Sequence, residues 1–148
     1  QYLQEGKVRQ AAQLLGRPYR LIGQTVAGRG IGKQLGFPTA NIVADGQIIP
    51  AEGVYAGYVV VGDSYDEAAF GGLRRAAAVS IGRAKTFVSD HPLLLEAHLL
   101  ENKVEDLSNR WLAMDFMRFL RHQQRFETKD HLKQQIAKDV SRAEQMLF

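Results

Sequence analysis

The chain has 148 residues and a net charge of +3, and its 45% hydrophobic and 24% charged content is that of one ordinary globular domain. It contains no cysteine, which excludes disulfides, thiolate metal sites and a cysteine nucleophile, and fits a reducing cytoplasm. Its basic residues are scattered and no run approaches the ~18 apolar residues of a membrane helix, so neither nucleic acid nor a membrane is expected as a partner.

The first part of the chain predicts a short helix followed by strands. Residues 5–15 place Val8, Ala11, Ala12 and Leu15 on one helical face, and Gly16 supplies a stop. Five runs are then predicted as strands, because they are apolar or rich in β-branched and aromatic residues: 19–26, 53–61, 76–81, 93–100 and 110–120. The run at 110–120 could also be helical. The stretch 62–75, between two of them, is predicted as a loop too long for a tight hairpin.

The last part of the chain predicts a long helix. Thr128 can cap it, and an apolar stripe recurs at helical spacing through Leu132, Ile136, Val140, Ala143 and Leu147. Five or six strands with short connections between two helices favour an antiparallel sheet or small barrel over a βαβ fold.

A glycine-rich run, GRGIGKQLG at 28–36, could cradle a phosphate. Backbone N–H groups and the charges of Arg29 or Lys33 would face the phosphate oxygens. A Walker A loop would need Gly and Ser or Thr where the chain has Ala27 and Gln34, and Lys33 breaks the GxGxxG pattern. The glycines taken alone favour a flexible hairpin loop over a phosphate site.

The residues that follow, PTAN, offer two oxygen ligands on one face. Pro38 biases the chain toward an extended conformation, and alternation then places Thr39 and Asn41 on the same side of a strand. A hydroxyl and an amide oxygen can ligate Mg²⁺ together with nucleotide phosphates. Alternatively, the two side chains only hydrogen-bond a turn.

Glu96 is the other unusual residue, because it lies inside the apolar run LLLEAHLL. On a strand it shares a face with His98. That face is either solvated, the commoner outcome for a lone glutamate, or it lines a pocket. In a pocket, Glu96 could serve as a general base.

Taken in order along nearly the whole chain, these segments resemble the riboflavin kinase family. The resemblance runs through LGFPTAN (35–41), GVYAG (53–57), VSIG (79–82), EAHLL (96–100) and LRHQQRF (120–126). It implies a mainly β fold, a six-stranded Greek-key antiparallel β-barrel with a short N-terminal helix and a long C-terminal helix. It also implies transfer of the γ-phosphoryl group of ATP to the ribityl 5′-hydroxyl of riboflavin, giving FMN and ADP.

The same resemblance implies roles for individual residues. Glu96 matches the catalytic base, and Thr39 and Asn41 match the positions that hold Mg²⁺ and the ATP phosphates. Gly28 and Lys33 match positions in the loop that closes over ATP. Leu99 and Glu101 match positions near the adenine, and Arg121 and Phe126 match positions that contact the flavin.

The opening segment is similar to the junction before the kinase module in bacterial bifunctional riboflavin kinase/FAD synthetases. Residues 1–18 are therefore expected to form a helical junction and 19–148 the kinase domain. The same resemblance implies an N-terminal adenylyltransferase module in the full-length protein, and the missing initiator Met is consistent with it.

Three positions depart from the family pattern. Ser108-Asn109 stands where Tyr-Gly is usual, Gln123 replaces the Glu of an Arg-x-Glu, and Lys85 replaces a Pro. These departures motivate an alternative, a flavin- or nucleotide-binding module with weak or lost catalysis. A small barrel that binds single-stranded nucleic acid would need exposed aromatic side chains interleaved with basic ones, which the sequence does not show.

Overall fold

A closed β-barrel dominates the computed structural model, which describes residues 1–26, 37–83, 93–101, 105–124 and 126–148. Within these residues its strands are β1 (Tyr19–Val26), β2 (Thr39–Val43), β3 (Gly53–Gly62), β4 (Arg75–Arg83), β5 (Leu93–Leu99) and β6 (Trp111–Arg121). They pair antiparallel in the order β1-β2-β5-β4-β3-β6, and β6 pairs back onto β1. The predicted six-stranded antiparallel barrel is confirmed.

The ambiguous run at 110–120 is a strand because it has two partners. β6 pairs with β1 on one side and with β3 on the other. A helix there would have left both neighbouring strands with unpaired backbone groups inside the sheet.

Alternate side chains of the strands fill the interior of the barrel. Buried core residues come from every strand, among them Leu21, Ile42, Tyr55, Val79, Ala97 and Phe116. Tyr55 packs edge-to-face on Phe116 with ring centroids 5.1 Å apart, and its hydroxyl donates to the carbonyl oxygen of Ala51. Burial raises the pKa of Tyr55 to about 12.

The N-terminal helix α1 (Val8–Leu15) follows a 3₁₀ turn at Leu3–Glu5 and packs on the barrel. Val8 joins the barrel core and Ala11 is buried, as the predicted face requires, whereas Leu15 is exposed at the helix end. Gly16 ends α1 in the left-handed conformation, with φ of 75°, as predicted.

The stretch 62–75 contains a helix, α2 (Tyr65–Phe70), so its prediction as a loop was wrong. The signal for this helix was present in the sequence. Ser64 is the N-cap and its hydroxyl accepts from the N–H of Glu67, an S-x-x-E pattern typical of helix starts. Ala68 is buried against the outer face of the barrel.

The C-terminal helix α3 (Lys129–Leu147) covers another part of the outer face. Thr128 caps it, accepting from the N–H of His131 at 3.1 Å. Its apolar stripe packs on the small side chains of Ala56 and Ala78, which let the helix approach the sheet closely. Among the described residues, this helix and the shorter ones are too short or too polar to span a bilayer.

Candidate active site

The strand register brings the two segments singled out by the sequence face to face. On the β2–β5 ladder Thr39 lies opposite His98, and Asn41 lies opposite Glu96. On the other side of β5, Ser80 of β4 also lies opposite Glu96. Directly paired residues project to the same face of a sheet, so these five side chains share the outer face of the barrel.

Glu96 is buried rather than solvated, which decides between the two interpretations of its face. It is 3% exposed and lines a cavity of about 330 Å³ between the outer face of the barrel, the segment after β6 and helix α3. Other residues around this cavity include Ser80, His98, Arg121, Gln123 and Phe126. A carboxylate held in a pocket of this kind can act on a bound ligand.

Thr39 has its hydroxyl fixed by two groups. Its Oγ1 lies 3.2 Å from the carbonyl oxygen of Phe37 and 3.1 Å from Nδ1 of His98. Nε2 of the same histidine lies 3.8 Å from a carboxylate oxygen of Glu96. Thr39, His98 and Glu96 therefore form one continuous polar row across β2 and β5.

The residues present fit a hard divalent cation of the Mg²⁺ kind. Thr39 contributes a buried hydroxyl whose oxygen keeps a lone pair after its two contacts, and Asn41 contributes an amide oxygen on the same face. Such neutral oxygen ligands, with phosphate oxygens and water, suit Mg²⁺, which keeps several waters in protein sites.

Arg121 is held by the C-terminal helix. Its guanidinium makes a two-pronged contact with the Asp139 carboxylate, through Nε at 2.8 Å and one terminal nitrogen at 2.7 Å. Gln135 donates to the same carboxylate at 3.0 Å. Phe126 lies beside this pair, with its ring centroid 5.9 Å from Cζ of Arg121. The predicted flavin residues Arg121 and Phe126 thus both lie at the cavity.

Asp139 was not found from the sequence, although a signal existed. It lies three residues after Ile136 and next to Val140, which places a carboxylate on the apolar stripe of α3. A charge on a packing face requires a partner, and here the partner is Arg121.

We expect Asp139→Ala to destabilise the protein by about 3 kcal/mol, because it leaves the largely buried guanidinium of Arg121 without its counter-charge. Chemical denaturation measures the change. Glu144→Ala, which removes an exposed carboxylate from the same helix, is the matched control and should leave stability nearly unchanged. Equal losses in the two variants would show that the ion pair does not hold α3.

Leu99 and Glu101 lie away from the polar row. Leu99 is fully buried in the barrel core, so any contact between this residue and a nucleotide runs through its main chain. Glu101 is exposed and accepts from Nε of Arg75 at 2.9 Å. Hydrogen bonds to Glu105 and Glu101 outweigh burial and raise the pKa of Arg75.

Two of the three departures from the family pattern lie in described segments. Asn109 adopts φ of 57°, the left-handed conformation for which glycine is the usual residue and which asparagine tolerates. Gln123 donates from its amide to Oγ of Ser80 at 2.8 Å and to the carbonyl oxygen of Ile81 at 2.9 Å, and an ionised carboxylate could not make the second of these contacts. Lys85 lies outside the described residues, as do the predicted nucleotide-loop residues Gly28 and Lys33.

The comparison with protein families agrees with this geometry. The profile of the flavokinase family, described as riboflavin kinase, matches residues 15–147. This chain belongs to the riboflavin kinase family. Its fold and the order of its site segments follow from that membership.

The names of curated relatives describe a riboflavin kinase that has a second activity, FMN adenylyltransferase. The bifunctional riboflavin kinase/FMN adenylyltransferase of Pseudomonas fluorescens is 36% identical over 133 residues, covering 90% of this chain and 40% of that protein. The protein of the same description from Escherichia coli K12 is 34% identical over 139 residues, covering 94% of this chain and 41% of that protein. This chain therefore spans about two fifths of the length of these relatives.

Solved structures share the architecture. The riboflavin kinase of Trypanosoma brucei superposes with a TM-score of 0.59 at 26% identity, over 88% of this chain and 80% of that one. A structure described as a macrolide-efflux protein from Streptococcus pneumoniae superposes with a TM-score of 0.77 at 26% identity, over 95% of this chain and 43% of that one.

Proposed function

We propose that this chain is a riboflavin kinase module, which transfers the γ-phosphoryl group of ATP to the ribityl 5′-hydroxyl of riboflavin. The observation that carries the proposal is the register that sets Thr39 and Asn41 directly opposite His98 and Glu96, two residues that line the cavity. Phosphoryl transfer needs positioning and charge neutralisation more than covalent chemistry, and this row offers both.

Glu96 is the proposed general base. Its carboxylate accepts the proton of the 5′-hydroxyl while the hydroxyl oxygen forms a bond to the γ-phosphorus atom. The bond between that phosphorus and the bridging oxygen breaks, and ADP leaves. The burial of Glu96 removes competing water from the carboxylate, and the two strands that flank β5 fix its position.

Thr39 and Asn41 are the proposed ligands of Mg²⁺, which when bound neutralises charge on the ATP phosphates. Gly28 and Lys33 are proposed to contact the nucleotide, together with the main chain of Leu99 and the side chain of Glu101. Arg121 and Phe126 are proposed to contact the flavin, since both line the cavity that holds Glu96.

The names of the curated relatives also describe an FMN adenylyltransferase. We accordingly propose that the full-length protein carries an N-terminal adenylyltransferase module and acts in the cytoplasm. We propose residues 19–148 as the kinase domain and 1–18 as the junction. This junction packs closely on the barrel, where Ala51 donates its N–H to the carbonyl oxygen of Leu3.

The Ser108-Asn109 departure was one argument for a binding module with weak or lost catalysis, and the structure weakens it. Asn109 adopts a left-handed conformation that glycine also adopts readily, so the Ser108-Asn109 departure does not require a different backbone at that turn. The polar row of Thr39, His98 and Glu96 is complete, which favours an active kinase.

We expect the chain to form FMN when incubated with riboflavin, ATP and Mg²⁺, and to lose this activity when EDTA removes the metal. Chromatographic separation of FMN from riboflavin measures the product. A folded chain that binds FMN tightly yet forms none with any divalent metal would favour the binding module instead.

A further inference from the structure

His98 is an enclosed polar side chain between two residues of the proposed reaction. Its side chain is 6% exposed, and its two ring nitrogens face Thr39 and Glu96. We infer that His98 is a positioning residue, which holds the hydroxyl of Thr39 in the orientation that accepts Mg²⁺ with its bound nucleotide. The inference rests on the proposed function, since it takes Thr39 as a metal ligand.

The hydrogen-bond arithmetic at Thr39 supports this role. A hydroxyl has one proton and two lone pairs. If the proton points to the carbonyl oxygen of Phe37, the ring N–H of His98 donates to Oγ1 and one lone pair remains. If the proton points to Nδ1 of His98, both lone pairs remain. In either arrangement the ring limits the rotation of the hydroxyl and leaves its oxygen able to bind a cation.

The contact on the Glu96 side is of a different kind. At 3.8 Å, Nε2 and the carboxylate oxygen are too far apart for a direct hydrogen bond. The hydrogen bond between His98 and Thr39 therefore joins the ring to the metal side of the site. Its removal is expected to act first on the binding of the metal–nucleotide complex and only secondarily on proton transfer.

The surroundings explain why removal would matter. Thr39 is 5% exposed, so few waters can replace the lost hydrogen bond. Some residues hydrogen-bond a metal ligand without contacting the metal. Replacing such a residue typically lowers metal affinity or activity by about 10- to 100-fold, which gives the order of magnitude expected at this site.

Two variants separate positioning from packing. His98→Leu fills the space with an apolar side chain and removes the polar contacts with Thr39 and Glu96. His98→Asn places an amide group at the same distance from Cβ as Nδ1, and an amide can donate to Thr39 or accept from it. His98→Asn thus keeps the hydrogen bond to the Thr39 hydroxyl, which is the contact that the inference requires.

The experiment measures ADP binding to the 148-residue chain by calorimetry, with Mg²⁺ and again with EDTA. We expect His98→Leu to weaken Mg·ADP binding by about 10- to 100-fold, with ADP affinity in EDTA unchanged. His98→Asn should recover most of the Mg²⁺-dependent affinity. Thermal melting confirms that each variant is folded.

The outcomes are distinguishable. Normal Mg·ADP binding by His98→Leu would overturn the inference and leave the proposed function standing. Equal weakening by both variants, or weakening that also appears in EDTA, would assign His98 a packing role and overturn it as well. If the unmodified chain showed no effect of Mg²⁺ on ADP binding, the proposed metal site itself would fail, and the inference with it.

Discussion

Glu96→Gln is expected to slow FMN formation by about 10²- to 10⁴-fold, the usual contribution of a positioned general base. The amide preserves the size of the side chain and its place between β2 and β4, but it cannot accept the proton of the attacking hydroxyl. Because the ligand contacts are otherwise unchanged, Mg·ADP and riboflavin should bind with near-normal affinity. Single-turnover measurement of FMN, alongside equilibrium binding of each ligand, tests both parts of the expectation.

Glu144→Gln is the matched control for this variant. Glu144 is an exposed carboxylate on α3, away from the polar row, and its replacement should leave turnover unchanged. Normal turnover by Glu96→Gln would remove the general-base role. Loss of ligand binding in parallel with turnover would instead assign Glu96 to the binding of substrate.

Gly57→Ala is expected to destabilise the protein by about 3 kcal/mol or more, the upper range for overpacking a closely packed site. A Cβ atom at Gly57 would lie 2.1 Å from the backbone carbonyl oxygen of Asp115 on β6. Backbone in the middle of a paired strand cannot move aside as a side chain can. The pairing of β3 with β6 is irregular next to Gly57, where the register shifts between Ala56 and Gly57.

The melting temperature should fall by about 10 °C for a loss of this size in a chain of this length. Gly72→Ala is the control, because a Cβ atom there meets nothing within 4 Å. Unchanged melting of Gly57→Ala would mean that the two strands can separate locally without cost. Measuring both variants by urea denaturation gives the free-energy difference directly.

Local pattern was enough to predict most of the strands and two of the helices. β1 coincides with its prediction, and α3 begins after the predicted cap, Thr128. These predictions succeeded because periodicity and capping act over a few residues. The helix α2, predicted as a loop, carries the same kind of signal in Ser64 and Glu67.

The site residues also divide into those that local sequence identified and those that it did not. Thr39, Asn41 and Glu96 were identified from the sequence, because a carboxylate in an apolar run and two oxygen side chains after a proline are local anomalies. Leu99 was associated with the nucleotide through resemblance alone, and its side chain belongs to the barrel core.

The sequence by itself therefore determined most of the element types, the family and the identity of Thr39, Asn41 and Glu96, all of which depend on neighbours along the chain. Only the tertiary structure decided that Glu96 faces a cavity instead of solvent, that His98 bonds Thr39, and that Asp139 holds Arg121. The physical reason is that these contacts join residues 18 or more positions apart or depend on what covers a strand face. Strand register and helix packing set the distances between these side chains. Both depend on segments that are far apart in the sequence, so no single segment predicts them.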